Sequence, residues 1–510
     1  MTETLPSTTS LCPTCLERVP GSYEAREDSV HLVRDCPDHG TTDRKVWESL
    51  EHWVWASQFA PENGSGAGVV DEGCCDEGSC GSEASIAPGG ETADDGDGLD
   101  VAGDHACLAV VEITQDCNLS CSFCFASSGP GGKQLPVNEV IDRLETVKAE
   151  AGTRPIQFSG GEPTVHDDLP ELIERAREMG FSHVEVNTNG IALARREGYA
   201  ERLAEAGATA IYLQFDGVER ETYEIIREAD LLEIKHDAID ACRAADLPII
   251  LVPTVVPGTN DDEMGDVLRF ALDNLDVVQS VNFQPVAHFG RYAENGGRFS
   301  LDEAARRLAD QVEELQPRDF LPVPCCSTYC QASTAVTPNG EGGILPLTGL
   351  LDTDAWGDLS GLVDEADWME LLAGTPAGQE KAEVMGGCCG IEVPGGESIL
   401  PVTFTGFMDA DAADVDRLEN CCISVPTPDG DLVPFCAYNM TTEDGRYALR
   451  NRKGWGGRDF VEPGNHEEAV DPGDGETAVD PGDGETAVDP GDYEGPVDPG
   501  VSEETNAEGD

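Results

Sequence analysis

The chain has 510 residues, which is long enough for two to four domains with a full-sized core and excludes a small disulfide-stapled module. Its 100 acidic and 31 basic residues give a formal net charge of −69, which would repel a phosphate backbone and disfavours nucleic-acid binding. The acidity is spread along the chain, a pattern that favours a halophile's protein, because molar salt shortens the screening length to about 3 Å. A locally acidic interaction surface is the alternative.

No segment has the pattern of a signal peptide or a membrane span. The N-terminal MTETLPSTTS lacks basic and apolar regions, and the best apolar run, 247–256, contains Pro248 and Pro253. We therefore expect a cytoplasmic protein without a transmembrane span. In a reducing cytosol its 19 cysteines are more readily explained as metal ligands than as disulfides.

Residues 1–60 contain a C-x2-C-x20-C-x2-H pattern formed by Cys12, Cys15, Cys36 and His39. Two close ligand pairs joined by a longer segment are typical of a structural tetrahedral site, so we predict a zinc-ribbon-like or rubredoxin-like knuckle. Mononuclear zinc is favoured, and mononuclear iron stays open because thiolate-rich tetrahedral sites suit both metals.

Residues 61–106 are rich in glycine and acids and contain no Lys or Arg, so they cannot bury enough apolar surface to form a core. We interpret them as an insertion. It carries Cys74, Cys75 and Cys80, and Cys107 follows at its end. These four thiols are candidate ligands of an iron–sulfur cluster; unpaired surface cysteines are the alternative.

Residues 107–320 alternate short apolar runs with amphipathic stretches of helical period, which predicts an α/β fold with a parallel sheet, open or closed into a barrel. The candidate strands are 108–114, 156–160, 183–190, 210–217, 248–256 and 280–286. Functional side chains in such folds lie at the carboxyl ends of the strands. Cys242 lies alone on a helical apolar face and is expected in the core.

Residues 321–460 lose this alternation and are predicted to form a cysteine-rich C-terminal domain. Its candidate metal ligands are Cys325, Cys326, Cys330, Cys388, Cys389, Cys421, Cys422 and Cys436. Structural zinc is the alternative for this domain. Residues 461–510 repeat an acidic nonapeptide, AVDPGDGET, whose Pro and Gly content predicts a disordered tail.

A cysteine loop directly follows the first candidate strand: Cys117, Cys121 and Cys124 form a C-x3-C-x2-C pattern. Three thiolates can hold three irons of a [4Fe–4S] cube and leave the fourth iron open to an outside ligand. A structural zinc site would prefer a fourth protein ligand.

The second candidate strand ends in FSGGEP, residues 158–163. Gly160 and Gly161 permit a close backbone approach, and the Glu162 carboxylate can meet a cationic amine. Since the cysteine loop follows the neighbouring strand, the two motifs are expected to meet at one edge of the sheet.

Together these motifs make residues 107–320 resemble the radical S-adenosylmethionine (radical SAM) superfamily. The resemblance implies a partial parallel (βα)6 barrel and a [4Fe–4S] cluster held by the three loop cysteines. It implies that S-adenosylmethionine chelates the open iron and that its amino group contacts a set formed by Ser159, Gly160, Gly161, Glu162 and Pro163. Later strand ends offer further cofactor or substrate contacts, or mere turns and caps, at Asn187, Asn189, Gln214 and Asp216.

The mechanism implied by this resemblance is reductive cleavage to a 5′-deoxyadenosyl radical, which abstracts hydrogen from an unactivated C–H bond. The electron donor implied is a ferredoxin or flavodoxin.

Elements outside the barrel, such as CPTC…CPDHG, LPVPCCSTYC and CCISVPTPDGDLVPFCAYN, resemble the archaeal tetraether lipid synthase family, whose members were formerly described as 7,8-dihydro-6-hydroxymethylpterin dimethyltransferases. This implies auxiliary [4Fe–4S] clusters and carbon–carbon coupling of isoprenoid ether-lipid chains, with possible peripheral membrane contact. The Gly-rich segment 74–105 and the repeat tail depart from the family, and because of the first departure the resemblance does not assign the ligand set of one auxiliary cluster. The alternatives are radical methylation of a pterin-like precursor and a non-catalytic iron–sulfur electron carrier.

Overall fold

The computed structural model describes residues 5–60, 106–292, 297–323, 327–339, 343–348, 386–387, 390–391 and 399–450. All of them belong to one compact unit, Met1–Gly464. Several predicted features lie outside the described residues: the tail 461–510 and the candidate ligands Cys74, Cys75, Cys80, Cys325, Cys326, Cys388 and Cys389.

The N-terminal part is an antiparallel sheet followed by a short helix. The elements are β1 (Ser7–Leu11), β2 (Arg18–Arg26), β3 (Ser29–Cys36), β4 (Gly40–Trp47) and α1 (Leu50–Ser57). The strands pair in chain order. Cys12 and Cys15 lie between β1 and β2, Cys36 ends β3 and His39 directly precedes β4, which brings the two pairs to the same end of the sheet.

Residues 106–320 form the predicted α/β barrel. Its strands are β5 (Leu108–Thr114), β6 (Ile156–Gly160), β7 (Val184–Thr188), β8 (Ala210–Gln214), β9 (Ile249–Val252), β10 (Thr254–Val255) and β11 (Val278–Pro285). Its helices are α2 (Val137–Ala151), α3 (Leu169–Glu178), α4 (Ile191–Arg195), α5 (Tyr199–Ala206), α6 (Arg220–Arg227), α7 (Leu232–Ala244), α8 (Met264–Asp273) and α9 (Leu301–Gln311). The order β5-β6-β7-β8-β9-β11 is parallel throughout, which confirms the predicted fold class.

The two faces of β5 show why the strand is apolar along its length. Val111 and Ile113 pack in the core that contains Val140 of α2, whereas Leu108 and Val110 pack in a second core inside the barrel. A strand buried on both faces has no need of polar alternation. Cys242 on α7 is fully buried, as predicted.

The chain beyond residue 320 adds strands to both edges of the barrel sheet. The elements are β12 (Leu321–Pro322), β13 (Gln331–Pro338), β14 (Ile344–Pro346), β15 (Gly386–Gly387), β16 (Gly390–Ile391), β17 (Leu400–Thr405), α10 (Val415–Glu419), β18 (Ile423–Pro426), β19 (Leu432–Pro434) and α11 (Phe435–Asn439). Strands β15 and β16 form a separate two-stranded sheet. Strand β17 is parallel to β11, and β18 is parallel to β5. This segment is therefore continuous with the barrel by hydrogen bonding, a feature that its sequence does not indicate.

The N-terminal sheet docks on the same C-terminal segment. Ser10 Oγ donates to the carbonyl of Ala413 at 2.5 Å, and Arg34 Nη1 donates to the carbonyl of Ala410 at 2.7 Å. Tyr23 Oη donates to Asp414 Oδ2 at 2.5 Å. Among the described residues, no helix is long and apolar enough to cross a membrane.

Candidate active site

The predicted cysteine loop lies at the carboxyl end of β5 and its three cysteines line one cavity. Two backbone hydrogen bonds fix its last cysteine: Cys124 N donates to the carbonyl of Arg291 at 2.8 Å, and Arg291 N donates to the carbonyl of Cys124 at 3.0 Å. At the start of the loop, Cys117 N donates to the carbonyl of Gly129 at 3.2 Å. The loop is thus tied to the rest of the protein at both ends.

The chemistry of these thiols fits a positively charged metal group. Burial, followed by the negative charge of Glu162, raises the pKa of Cys117. Burial also raises the pKa of Cys121, against the opposing effect of Arg227. Buried thiolates here require a positively charged partner.

Two arginines hold the carbonyls of the cysteine loop. Arg227 Nη1 donates to the carbonyl of Phe123 at 3.2 Å, and Arg291 Nε donates to the carbonyl of Cys121 at 2.6 Å. Arg227 also donates through Nε and Nη2 to the two carboxylate oxygens of Asp216, each at 2.7 Å. Sequence reasoning missed both arginines, because each is more than 100 residues from the loop carbonyl it contacts.

Asp216, predicted as a cofactor or substrate contact, is not among the residues that line the cavity. Its carboxylate is held by Arg227 and accepts a hydrogen bond from Thr254 N at 3.1 Å. The structure therefore gives it a supporting position behind the cysteine loop.

Gly160, the last residue of β6, and Gly161 both lie close to the backbone at the end of β5, where a side chain would not fit. Gly161 N donates to the carbonyl of Thr114 at 2.7 Å, and Glu162 N donates to the carbonyl of Asp116 at 2.8 Å. A Cβ atom on Gly160 would lie 2.2 Å from the Thr114 oxygen, and one on Gly161 would lie 2.2 Å from the Asp116 oxygen. The predicted close approach therefore exists, and its partner is the backbone that leads into the cysteine loop.

Glu162 is buried and held by the protein on both oxygens. Oε1 accepts from Thr164 N at 3.0 Å, Thr164 Oγ1 at 2.5 Å and Thr188 Oγ1 at 2.6 Å. Oε2 accepts from Asn189 N at 2.7 Å, which leaves this oxygen capacity for a further donor. Glu162 and Ser159 line the cavity, whereas Pro163 begins a 3-10 turn, Pro163–Val165, behind it.

Asn187, Asn189 and Gln214, at the ends of their strands, also line the cavity. Asn189 Oδ1 accepts from Ile191 N at 3.0 Å, so Asn189 is both a cavity residue and a turn residue. Lys235, which sequence reasoning missed, donates to the carbonyl of Asn189 at 2.6 Å and to Gln214 Oε1 at 3.2 Å. Burial lowers the pKa of this fully buried lysine to about 7.

The cavity continues from the cysteine loop into the barrel and encloses about 1410 Å³, part of it open to solvent. One group of its lining residues, the apolar set, comes from β5, the end of the cysteine loop, the segment after β11 and the C-terminal segment. The apolar set consists of Leu108, Val110, Phe125, Phe289, Phe407, Ile423 and Phe435. A second group, the carboxamide set, comes from the strands β6, β7, β8 and β11. The carboxamide set consists of Gln157, Asn187, Gln214, Asn282 and Gln284.

The N-terminal ligand set is brought together as predicted. One ligand atom from each of Cys12, Cys15, Cys36 and His39 lies within 4.8 Å of the others. His39 Nδ1 is 3.6 Å from Cys12 Sγ and 3.4 Å from Cys36 Sγ. Within the described ranges this is the only such group of three or more ligand atoms.

The described C-terminal cysteines fall into two neighbourhoods. Cys107 N donates to the carbonyl of Cys422 at 2.7 Å, so Cys421 and Cys422 lie beside the start of β5. Cys330 and Cys436 pack at the core inside the barrel. The other C-terminal cysteines predicted as metal ligands lie outside the described residues: Cys325, Cys326, Cys388 and Cys389.

Comparison with known proteins agrees with this geometry. Residues 111–271 match the family model of the radical SAM superfamily, and residues 4–48 match the HMPTM N-terminal zinc ribbon domain. A protein of Methanocaldococcus jannaschii, 7,8-dihydro-6-hydroxymethylpterin dimethyltransferase, is 31% identical over 493 residues, which cover 85% of this chain and 93% of that protein. The chain belongs to the radical SAM superfamily, in the family of this relative.

Other known proteins match a smaller share of the chain. The probable GTP 3′,8-cyclase of Methanothermobacter thermautotrophicus is 27% identical over 41% of this chain and 68% of its own length. Among solved structures, Streptococcus suis SuiB bound to S-adenosylmethionine aligns with a TM-score of 0.35 and 15% identity, over 41% of this chain and 47% of SuiB.

The protein is therefore a radical SAM enzyme, and its superfamily implies a [4Fe–4S] cluster and S-adenosylmethionine. The zinc ribbon domain supports a zinc site at the N-terminus. When bound, the cluster and S-adenosylmethionine supply a 5′-deoxyadenosyl radical for hydrogen abstraction. The chain's own residues hold the loop, leave Glu162 Oε2 able to accept one more hydrogen bond, and surround the rest of the cavity mostly with uncharged side chains.

Proposed function

We propose that this enzyme abstracts hydrogen from an unactivated C–H bond of an uncharged, largely apolar substrate, and that Cys117, Cys121 and Cys124 ligate the radical-generating cluster. Ser159, Gly160, Gly161 and Glu162 form the subsite for the amino group of S-adenosylmethionine. The observation that carries the proposal is the cavity lining, whose apolar set supplies aromatic and aliphatic surface next to the cysteine loop.

The charges in the cavity support an uncharged substrate. Among the described lining residues, the cations are Arg227 and Arg291. Both are engaged by the protein, Arg227 with Asp216 and Arg291 with the carbonyls of Cys121 and Ser128. A triphosphate would need several further cationic partners, so a nucleotide substrate like that of the GTP cyclases is disfavoured.

The apolar set favours a hydrocarbon chain. Phe125 and Phe407 each lie against Phe435, with ring centroids 5.4 Å and 5.2 Å apart, and together they cover one side of the cavity. We propose carbon–carbon coupling of isoprenoid ether-lipid chains, with peripheral membrane contact for substrate access and electrons from a ferredoxin or flavodoxin. Auxiliary [4Fe–4S] clusters would use the two C-terminal cysteine neighbourhoods.

The carboxamide set favours a second candidate, radical methylation of a pterin-like precursor, which also agrees with the name of the Methanocaldococcus jannaschii relative. Tyr212 Oη accepts hydrogen bonds from Asn282 Nδ2 at 2.6 Å and Gln284 Nε2 at 2.8 Å. Neutral donors and acceptors of this kind recognise the edges of a heterocycle.

A deletion strain distinguishes the two candidates. Loss of coupled lipids with unchanged pterins, measured by mass spectrometry, supports lipid coupling. Unchanged lipids with altered pterins overturn lipid coupling in favour of the second candidate.

Purified, reconstituted protein with dithionite and S-adenosylmethionine should release 5′-deoxyadenosine. A Cys124→Ala variant should not release it. Absence of release from the unmodified protein would indicate an iron–sulfur carrier and contradict both candidates.

A further inference from the structure

We propose that Tyr447, which the sequence gives no reason to single out, is a positioning residue for the radical-generating cluster. Its hydroxyl donates to the carbonyl of Phe125 at 2.5 Å and lies 3.2 Å from Ser127 Oγ. Phe125 directly follows Cys124, so one side chain from the C-terminal segment fixes the backbone at the end of the cysteine loop.

The backbone next to this contact adopts a conformation that needs support. Ser127 has φ +46°, in the left-handed region that residues other than glycine rarely adopt. Such conformations persist when surrounding contacts over-determine them, and they cluster at functional sites. Tyr447 contacts the hydroxyl of Ser127 itself and the carbonyl of Phe125, two residues earlier, and these contacts supply that constraint.

The Tyr447 hydroxyl packs directly against the backbone at Gly290. A Cβ atom on Gly290 would lie 2.3 Å from Tyr447 Oη and 2.6 Å from the carbonyl oxygen of Cys124. Gly290 precedes Arg291, whose backbone pairs with Cys124 in both directions. The Tyr447 hydroxyl therefore lies between the cysteine loop and the segment Gly290–Arg291, which pairs with that loop.

The ring of Tyr447 is itself fixed by a buried cation. The Arg450 guanidinium lies 5.6 Å from the centre of the Tyr447 ring, 5.4 Å from that of Tyr438 and 6.0 Å from that of Phe125. Arg450 also pairs with Glu112 of β5 at 2.7 Å, and both side chains are buried. Replacing a buried ion pair by apolar residues is often neutral or stabilising, so such a pair is weak evidence for a role in stability. The Arg450–Glu112 pair therefore favours a positioning role.

Tyr438 provides a matched control. It contacts the same guanidinium and is also buried, but its hydroxyl donates to Glu112 Oε2 at 3.1 Å, on β5, instead of to the cysteine loop. A role in stability alone predicts the same consequences for Tyr438→Phe and Tyr447→Phe. A positioning role predicts that changes at the cluster are confined to Tyr447→Phe.

The test uses the full-length, anaerobically reconstituted protein. We expect Tyr447→Phe to alter the electron paramagnetic resonance spectrum of the reduced cluster with S-adenosylmethionine. We also expect it to release the cluster's iron to a chelator about fivefold faster, the size of one net hydrogen bond. Tyr438→Phe should match the unmodified protein in both measurements. Identical behaviour of the two variants would overturn the proposal.

A milder substitution covers the case in which Tyr447→Phe does not fold. Ser127→Ala removes the second contact of the hydroxyl, and we expect it to change the spectrum in the same direction; an unchanged spectrum and iron release would then overturn the proposal. The inference rests on the proposed cluster ligands, which Cys124→Ala tests separately: a cluster spectrum retained in that variant would refute the ligand assignment.

Discussion

Asp216 and Arg227 form a buried two-point ion pair, in which Arg227 Nε and Nη2 each lie 2.7 Å from a different carboxylate oxygen. The side chains are 0% and 8% exposed, so solvent does not screen their charges. Arg227 extends from this pair to the carbonyl of Phe123, inside the cysteine loop. The pair therefore links the end of β8 to the loop proposed to hold the cluster.

Asp216→Asn should destabilise the protein by about 3–5 kcal/mol, because it leaves the buried charge of Arg227 uncompensated. Urea unfolding of the anaerobic protein measures the change. Asp276→Asn is the control, since Asp276 pairs with Arg243 at the surface and an exposed pair contributes less than about 1 kcal/mol. Equal effects of the two substitutions would contradict the assigned position of Asp216.

Glu162→Gln should weaken binding of S-adenosylmethionine by roughly tenfold or more, the effect of losing a hydrogen bond to a charged group. Both carboxylate oxygens accept hydrogen bonds from the protein, so the new amide nitrogen must face a donor of Thr164 or Asn189. Isothermal titration calorimetry of reconstituted protein measures the affinity. Glu171→Gln, on the exposed part of α3, should bind like the unmodified protein. Unchanged affinity in Glu162→Gln would exclude the proposed amino-group subsite.

Lys235 should make stability rise between pH 7 and 10. Burial lowers its pKa to about 7 from the ordinary 10.5, so above pH 7 the unfolded chain binds the proton that the folded protein has lost. The free energy of unfolding then increases by up to about 1.4 kcal/mol per pH unit across this window, and the cost of the buried charge is fully present below it. Lys235→Met should lack this increase.

The measurement for Lys235 is the difference in unfolding free energy between the variant and the unmodified protein at pH 7 and pH 9.5. Other titrating groups cancel in this difference. Lys148→Met, at an exposed position on α2, should leave the pH dependence unchanged. Parallel pH profiles for Lys235→Met and the unmodified protein would contradict the neutral buried amine.

His39→Ala should remove the N-terminal metal, destabilise residues 5–60 and leave release of 5′-deoxyadenosine intact, because the ligand set lies apart from the residues that line the cavity. Metal analysis and limited proteolysis measure the first two effects, and the identity of the metal lost distinguishes zinc from iron. His31→Ala, which removes a surface partner of Asp43, is the control. Loss of 5′-deoxyadenosine release in folded His39→Ala protein would show that the ribbon takes part in the radical chemistry.

The sequence by itself determined the features that depend on local pattern. The period of the apolar residues identified the six parallel strands, two of them, Leu108–Thr114 and Ile156–Gly160, with the bounds that the structure gives. The spacing of Cys117, Cys121 and Cys124 and the FSGGEP motif indicated the superfamily, because a ligand loop and its neighbouring turn are short, contiguous segments. The ribbon ligands were likewise predicted from two close pairs.

Only the tertiary structure decided the features that depend on contacts between distant segments. Arg227, Arg291 and Tyr447 reach the cysteine loop from positions more than 100 residues away, and nothing in a local pattern marks them. Asp216 follows the end of a strand, which is where a cofactor contact is expected. In the structure its carboxylate forms an ion pair with the guanidinium of Arg227. Strands β17 and β18 extend the barrel sheet because the edges of a partial barrel expose unpaired backbone groups, which any segment that arrives there can satisfy.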